Sequence, residues 1–281
     1  MRSLWLPTFN PNTDYSWASG YLDVLLSPFK DNYNITLYNK LMVQNISNTY
    51  APSSHLICFR RALLLDRSHY LGEGGSLSGW RSADLFRAAA YKYAKPILHQ
   101  PSSERPIILT LLQRDGPRRF VHPSAILRRI HHRYGSSVSA QLHYTNGSFA
   151  SQVRLLAESD LIVSAHGAGQ TNIMFLRPMS AFVECNPPYF YETTFMTLAN
   201  IIRVQYFSVT TYNETYMPPK VKSGYAQSLY EHGRAKERKR VFVRGFIDPE
   251  PLNMMSVIDN SIEYLHYTYY RSSQTENRYL F

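Results

Sequence analysis

Cysteine is scarce. Cys58 and Cys185 are the only two in 281 residues, which excludes a disulfide framework and a four-cysteine zinc site. A lone buried thiol is the expected state of each, with pairing as the alternative. Long apolar runs are missing as well: none approaches the ~18 residues that cross a bilayer, and the N-terminus carries no signal-peptide core. A lumenal protein of this sequence would need a targeting segment absent from this chain. Acidic residues are in deficit, 20 against 30 Lys and Arg, so the net charge is +10. Such a surface attracts anions, and nucleotide-sugar phosphates, nucleic acid and acidic membranes all qualify. Disorder is excluded by a content of 44% hydrophobic and 18% charged residues. There is no internal repeat and no long low-complexity tract.

What is present is aromatic and sequon-rich. Twenty-two Tyr and 14 Phe supply surfaces able to stack on bases or sugars, with core packing as their default role. Sequons at Asn34, Asn45, Asn146 and Asn213 suit a chain folded in the secretory pathway. The first half offers two elements near Tyr21 to Leu26 and Ile35 to Val43, and short strands at His55 to Phe59 and Ala62 to Leu65. The Gly-Ser stretch from Leu71 to Trp80 lacks the Lys-Ser/Thr of a P-loop and reads as a surface loop. A helix capped by Ser82 or Asp84 runs to about Ala94, with Phe86, Ala89, Ala90 and Tyr93 on its buried face, and Pro96 ends it.

Beyond the polar linker that ends at Pro106, strands and helices alternate. Strands are expected at Ile107 to Leu112, Val138 to His143, Leu161 to Ser164, Ala181 to Cys185 and Val204 to Val209. Helices are expected from His122-Pro123-Ser124 to about Tyr134, at Phe149 to Ala157, at Phe195 to Ile202, and from Asp248-Pro249 to about Tyr267. Units of this length are βαβ crossovers and predict an α/β, doubly wound domain. The basic run Arg234 to Arg240 reads as a solvated loop, with an acidic acceptor or membrane surface as the sharper alternative.

Within that domain, Leu161 to Asn172 joins an apolar strand, a His-Gly-Ala-Gly turn and a helix expected from Gln170 to Leu176. Glycines admit a ligand close to the backbone, and a helix start offers N–H groups and a partial positive charge, so the stretch is a candidate anion seat. Gln113 to Arg119, a tight turn with three Arg, sits at the carboxyl end of a strand, where ligands gather in open α/β sheets.

The succession Ile108 to Arg114 and Arg119, Ser148 to Gln152, Ser159 to Pro178 with His166-Gly-Ala-Gly169, Asn172 and Phe175-Leu-Arg-Pro178, then Phe182-Val-Glu184, closely resembles glycosyltransferase family 61. The family includes plant xylan arabinosyl- and xylosyltransferases and protein GlcNAc transferases. The resemblance is clear over about Phe59 to Thr210. Gln170 and Met179 stand where the family has Leu and Gly, Cys185 replaces an aliphatic residue, and the family's early His-and-Asp motif has no match before Cys58. The resemblance therefore describes a member lacking part of its N-terminal region, or one diverged there.

What the resemblance implies is a GT-B fold of two Rossmann-like domains facing a cleft. Residues 1–103 would form the acceptor-side domain and 104–281 the donor-binding one, with the C-terminal helix able to return to the first. The implied activity is inverting, metal-independent transfer of a sugar (xylose, arabinose or GlcNAc) from a UDP-linked donor to a hydroxyl of a glycan or glycoprotein. No cofactor is implied, since the UDP-sugar is a substrate. The alternative is a non-catalytic descendant that binds nucleotide or glycan as a partner subunit. The implied location is the Golgi or endoplasmic reticulum lumen, held by an N-terminal membrane anchor absent from this chain, with secretion second. Nucleic-acid binding has no motif behind it.

Transfer without a metal requires protein cations and N–H donors on the leaving diphosphate. Arg114 is the first candidate, because a guanidinium forks onto phosphate oxygens, and Arg119 the second, with Arg118 solvated. His166 is open between a donor contact and a turn-stabilising residue. Gly167, Ala168 and Gly169 would turn main-chain N–H groups toward the diphosphate. Thr171 and Asn172 cap the helix or touch phosphate. Glu184 is expected on the ribose, with a buried salt bridge as the alternative, and Tyr189, Phe190 and Tyr191 are open between base stacking and packing. Asp23, Asp31, His55, Asp66 and Glu73 are candidate general bases, none preferred.

Overall fold

The computed structural model describes residues 2–6, 24, 35–39, 79–99, 105–187, 192–210 and 251–274. Expectations for His55 to Phe59, Ala62 to Leu65, the Gly-Ser loop, Cys58, the sequons at Asn45 and Asn213, Tyr189 to Tyr191, Arg234 to Arg240 and Asp248-Pro249 lie outside them. So do the candidate bases Asp23, Asp31, His55, Asp66 and Glu73.

Near the N-terminus, β1 (Arg2–Leu6) and β2 (Ile35–Asn39) form a parallel pair, with Arg2 opposite Ile35 and Leu6 opposite Asn39. The site is carried by a second sheet of five parallel strands: β3 (Ile107–Gln113), β4 (Val138–Tyr144), β5 (Leu161–Ala165), β6 (Ala181–Asn186) and β7 (Gln205–Thr210). Their order across the sheet is β4-β3-β5-β6-β7. The chain runs from β3 outward to β4 and then back across to β5, so the order reverses between β3 and β5. Such a switch point opens a crevice at the carboxyl ends of the two strands, the place where ligands bind in open α/β sheets.

Helices cover both faces, as continuous apolar strands demand. One face carries α1 (Trp80–Ala94), α3 (Phe149–Glu158), a 3-10 segment at Ala168–Phe175 and α4 (Thr194–Ile201). Its core includes Leu112, Phe149, Ile162, Phe175, Phe182 and Leu198, with Val24 from the N-terminal stretch buried among them. The other face carries α2 (Pro123–Tyr134) and α5 (Pro251–Gln274) over Leu109, Leu111, Val163, Val183 and Cys185. Side chains alternate between the faces along each strand. Even-numbered residues at the ends of β3, β5 and β6 thus turn toward α3 and α4.

Every strand and helix expected between residues 107 and 210 is present, with ends shifted by one or two residues. Three expectations change. The helix expected from Gln170 starts at Ala168 and is a 3-10 segment, closed by i to i+3 bonds such as Gln170 N–H to Gly167 O at 2.8 Å and Leu176 N–H to Ile173 O at 2.8 Å. In α1 the cap is Gly79, because the Ser82 hydroxyl donates to Gly79 O and Asp84 pairs with Arg87 and Arg203. The third change is its buried face: Ala90 is buried as expected, and Phe86 and Ala89 are half-buried against the same core with Phe86 stacked on Phe175, but Ala83, Arg87 and Ala94 join them while Tyr93 is exposed. Arg87 belongs inside because it donates to the carbonyls of Met174 and Ile202, capping the 3-10 segment and the end of α4. With Tyr91 donating to Phe175 O at 2.7 Å, this fastens α1 to the sheet unit although its residues precede position 104. The described side chains of α5 pack on the same sheet.

At the amino ends of the strands, Asp160 is fully buried. It accepts two hydrogen bonds from Arg105 (2.6 and 2.8 Å), one each from Arg177 and Tyr269 (2.5 Å), and one from the Ile108 N–H (2.9 Å). The carboxylate ties β3, β5 and α5 together.

Candidate functional site

Arg114 follows the last residue of β3, on the switch-point crevice. The turn that carries it is closed by Gln113, whose Nε2 donates to Phe120 O at 2.9 Å while its Oε1 accepts from Phe120 N–H at 2.9 Å and Arg114 N–H at 3.2 Å. Inside this clamp the Asp115-Gly116-Pro117 reversal, with Gly116 at φ 75°, brings Arg118 back beside Arg114. Arg118 itself adopts φ 66°, a left-handed conformation that costs a non-glycine residue free energy and that functional sites retain.

The two guanidiniums meet over Gly167. A Cβ built there would lie 2.3 Å from Arg114 Nη1 and 3.4 Å from Arg118 Nη1, so glycine is required by space and not by backbone angle. Both side chains are half-buried, and the Nε of each is buried without a hydrogen-bond partner. Burial lowers the pKa of Arg114 from its ordinary value; burial and then the neighbouring Arg114 charge lower that of Arg118. A pair of half-buried like charges with no carboxylate partner among the described residues has the electrostatics of an anion site. Arg119, placed second by the sequence, is exposed and lines an open cleft of about 370 Å³ with Arg114, Tyr144 and Pro123 at the start of α2. Arg118 is thus the residue beside Arg114, and Arg119 stands on the exposed wall of the cleft that Arg114 also lines.

His166 continues β5 by one residue and is buried. Its N–H donates to Cys185 O at 2.8 Å, and its ring stands edge-on to Phe195 at 5.5 Å. Nδ1 is 2.6 Å from Glu184 Oε1, and Nε2 is 3.7 Å from Glu192 Oε2. Glu184 is fully buried, and its Oε2 accepts from the Tyr206 hydroxyl at 2.6 Å. Both of its oxygens are thus held by protein groups, and the residue orients His166 instead of presenting a carboxylate to a ribose. Its buried ionisable partner is His166. Glu192 and Tyr206 carried no local signal, because only the parallel register of Ser164 opposite Glu184 and Glu184 opposite Ser208 brings them to His166.

Gly167, Ala168 and Gly169 divide their tasks. The Gly167 N–H is taken by Gln170 Oε1 at 3.4 Å, and Gln170 Nε2 donates to Ser164 O at 3.2 Å. Gln170 therefore caps the 3-10 segment, the task expected of Thr171 or Asn172. Ala168 and Gly169 are exposed in the first turn, where N–H groups lack an intrahelical partner. Asn172 is buried, with its Nδ2 donating to Gln152 Oε1, while Gln152 Nε2 donates to Gly147 O. Asn172 therefore braces the β4–α3 turn against the seat. Cys185 is a free, fully buried thiol, pushed well up from its ordinary pKa by burial and by the adjacent Glu184 charge. No cluster of His, Cys, Asp and Glu suited to a metal ion occurs among the described residues, and no described helix is long and apolar enough to cross a membrane.

Comparison with known proteins bears on what this site serves. The family model "Glycosyltransferase 61" matches residues 5–183, a span that holds both arginines and the whole His-Gly-Ala-Gly turn. A curated relative, the EGF domain-specific O-linked N-acetylglucosamine transferase of Pan troglodytes, is 27% identical over 231 residues, 76% of this chain. The chain spans 40% of that relative's length. With its model matching more than half of the residues, the chain belongs to the glycosyltransferase 61 family.

Proposed function

We propose that this chain binds the diphosphate of a UDP-sugar at the Arg114–Arg118 pair and serves glycosyl transfer to a hydroxyl of a glycan or glycoprotein. The observation that carries the reading is the pair itself: two half-buried guanidiniums with no counter-ion among the described residues, over a glycine whose missing side chain makes room for them. As the bond from the anomeric carbon to the diphosphate breaks, negative charge grows on the leaving oxygens. Two fixed cations stabilise that charge more than they stabilise the bound donor, which lowers the barrier. They supply two positive charges, as a divalent ion would, so the reading is metal-independent. Ala168 and Gly169 N–H groups reinforce them from the start of the 3-10 segment.

Attack by the acceptor hydroxyl from the face opposite the diphosphate inverts the anomeric carbon. A second Rossmann-like domain facing the carboxyl edge of the sheet, in a GT-B arrangement, would bring the acceptor there. GlcNAc is the first sugar to test, because the relative's name specifies it. A lumenal location accords with the sequons, of which Asn146 is exposed beside the site. The test is to incubate the chain with UDP-GlcNAc, UDP-xylose and UDP-arabinose and hydroxyl acceptors, following UDP release and product anomer. The expected result is UDP release with an inverted product; retention of configuration, or activity from GDP-sugars alone, contradicts it. UDP binding without turnover would favour the partner-subunit alternative.

A further inference from the structure

We infer that Asn186 reads the base of the donor nucleotide, pairing with the imide edge of uracil; this rests on the diphosphate reading above. Asn186 is the last residue of β6 and fully buried, yet neither its Oδ1 nor its Nδ2 has a hydrogen-bond partner. An amide dehydrated on both its donor and its acceptor side is costly, and buried polar groups are otherwise bonded almost without exception. The other unpartnered buried side-chain atoms among the described residues are Nε atoms of Arg114, Arg118 and Arg177. Two of these belong to the anion pair, so all of the unsatisfied groups except Arg177, which pairs with Asp160 at the opposite end, lie at the carboxyl edge of the sheet.

Position supports the same ligand. Alternation along β6 puts Asn186 on the face of Phe182 and Glu184, the face of His166. The β5–β6 register, with Ala165 opposite Cys185, continues to His166 beside Asn186. Along the edge the order is Arg114 after β3, His166 after β5, then Asn186 on β6. Two strand spacings, about 10 Å, separate the first from the last. A nucleoside diphosphate held at Arg114 would lay its ribose past His166 and its base at Asn186.

An amide presents a donor and an acceptor side by side in one plane. Its complement is a planar group with an acceptor beside a donor, which the C4 carbonyl and N3–H of uracil provide. Rotatable sugar hydroxyls need no such fixed pair.

The test uses the full chain with UDP, N3-methyl-UDP, ADP and inorganic pyrophosphate, comparing wild type with Asn186→Leu, a replacement of similar size without polar atoms. Loss of two neutral hydrogen bonds is expected to weaken UDP binding roughly ten- to hundredfold while leaving pyrophosphate unchanged. The same substitution should raise the Tm of the ligand-free protein, the opposite of what a structural asparagine would do. N3-methylation of UDP should weaken wild type by a similar factor and the variant little, an arm that needs no folded variant for its first half. UDP binding undisturbed by Asn186→Leu, equal binding of N3-methyl-UDP by wild type, or ADP bound as tightly as UDP overturns this inference alone. Failure of wild type to bind either UDP or pyrophosphate overturns the diphosphate reading, and this one with it.

Discussion

At the scale of single residues, the account turns on a contact that only glycine permits. Gly167→Ala would place a methyl group within 2.3 Å of Arg114 Nη1, at the far end of a flexible side chain. The guanidinium is expected to swing aside at small cost to stability, while UDP affinity falls. A large drop in Tm with unchanged affinity would show that Gly167 serves packing. Met179 tests backbone strain independently: it adopts φ 67° at a position where the family resemblance implies glycine. Met179→Val puts a β-branched residue into the left-handed region and should cost about 1–2 kcal/mol more than Met179→Gly in urea unfolding. Of these residues the sequence made Arg114 and the glycine turn legible, because strand-end position and small-residue spacing are local signals. The exchange of Arg118 for Arg119 and the burial of Glu184 were not, because a one-residue rotation of a turn and a partner across two strands leave no periodic trace.

At the scale of elements, periodicity served well wherever a strand was buried on both faces, as in Ile107 to Leu112 and Leu161 to Ser164. It failed where a polar residue is buried because it bonds a distant backbone. Arg87 lies within the apolar stripe of α1 for that reason, and Gln170 turns an expected α-helix start into a capped 3-10 segment. The strongest such case is Asp160, which binds two arginines, a tyrosine and a backbone N–H at the foot of the sheet. Burial alone would raise its carboxyl pKa, but the Arg105 hydrogen bonds, the Arg177 charge and the Ile108 N–H outweigh it and hold the group below the ordinary 3.8. A folded-state pKa depressed in this way contributes stability that is fully present above the unfolded value. That stability is lost as pH falls through the folded value, so the wild type should lose stability steeply only in strong acid. Asp160→Asn leaves two partly buried guanidiniums short of a countercharge and should cost about 3 kcal/mol at neutral pH, the low end of the range for a broken buried pair. It should also flatten the acid limb of the stability profile. An unchanged acid limb in the variant would place the acid-sensitive group elsewhere.

For the whole molecule, the sheet order decides where function can lie. Reversal between β3 and β5 puts Arg114 and His166 at adjacent strand ends, and helices cover both faces of the sheet. The alternation of strands and helices was enough to foresee a doubly wound sheet, while the docking of α1 and α5 onto it depended on side-chain bonds that no local pattern encodes. A net charge of +10 adds long-range attraction for any anionic donor, so UDP affinity should fall as salt rises.

The most direct measurement is a calorimetric titration of the chain with UDP in the presence of EDTA, repeated for Arg114→Ala, Arg118→Ala and Arg119→Ala. Metal-independent binding is predicted for the wild type. Removing Arg114 or Arg118 should each weaken it by about 1.5–3 kcal/mol, the scale of a hydrogen bond to a charged group. Removing the exposed Arg119 should change it far less. Binding that vanishes in EDTA, or that depends on Arg119 and not on Arg118, would contradict the two-arginine diphosphate site.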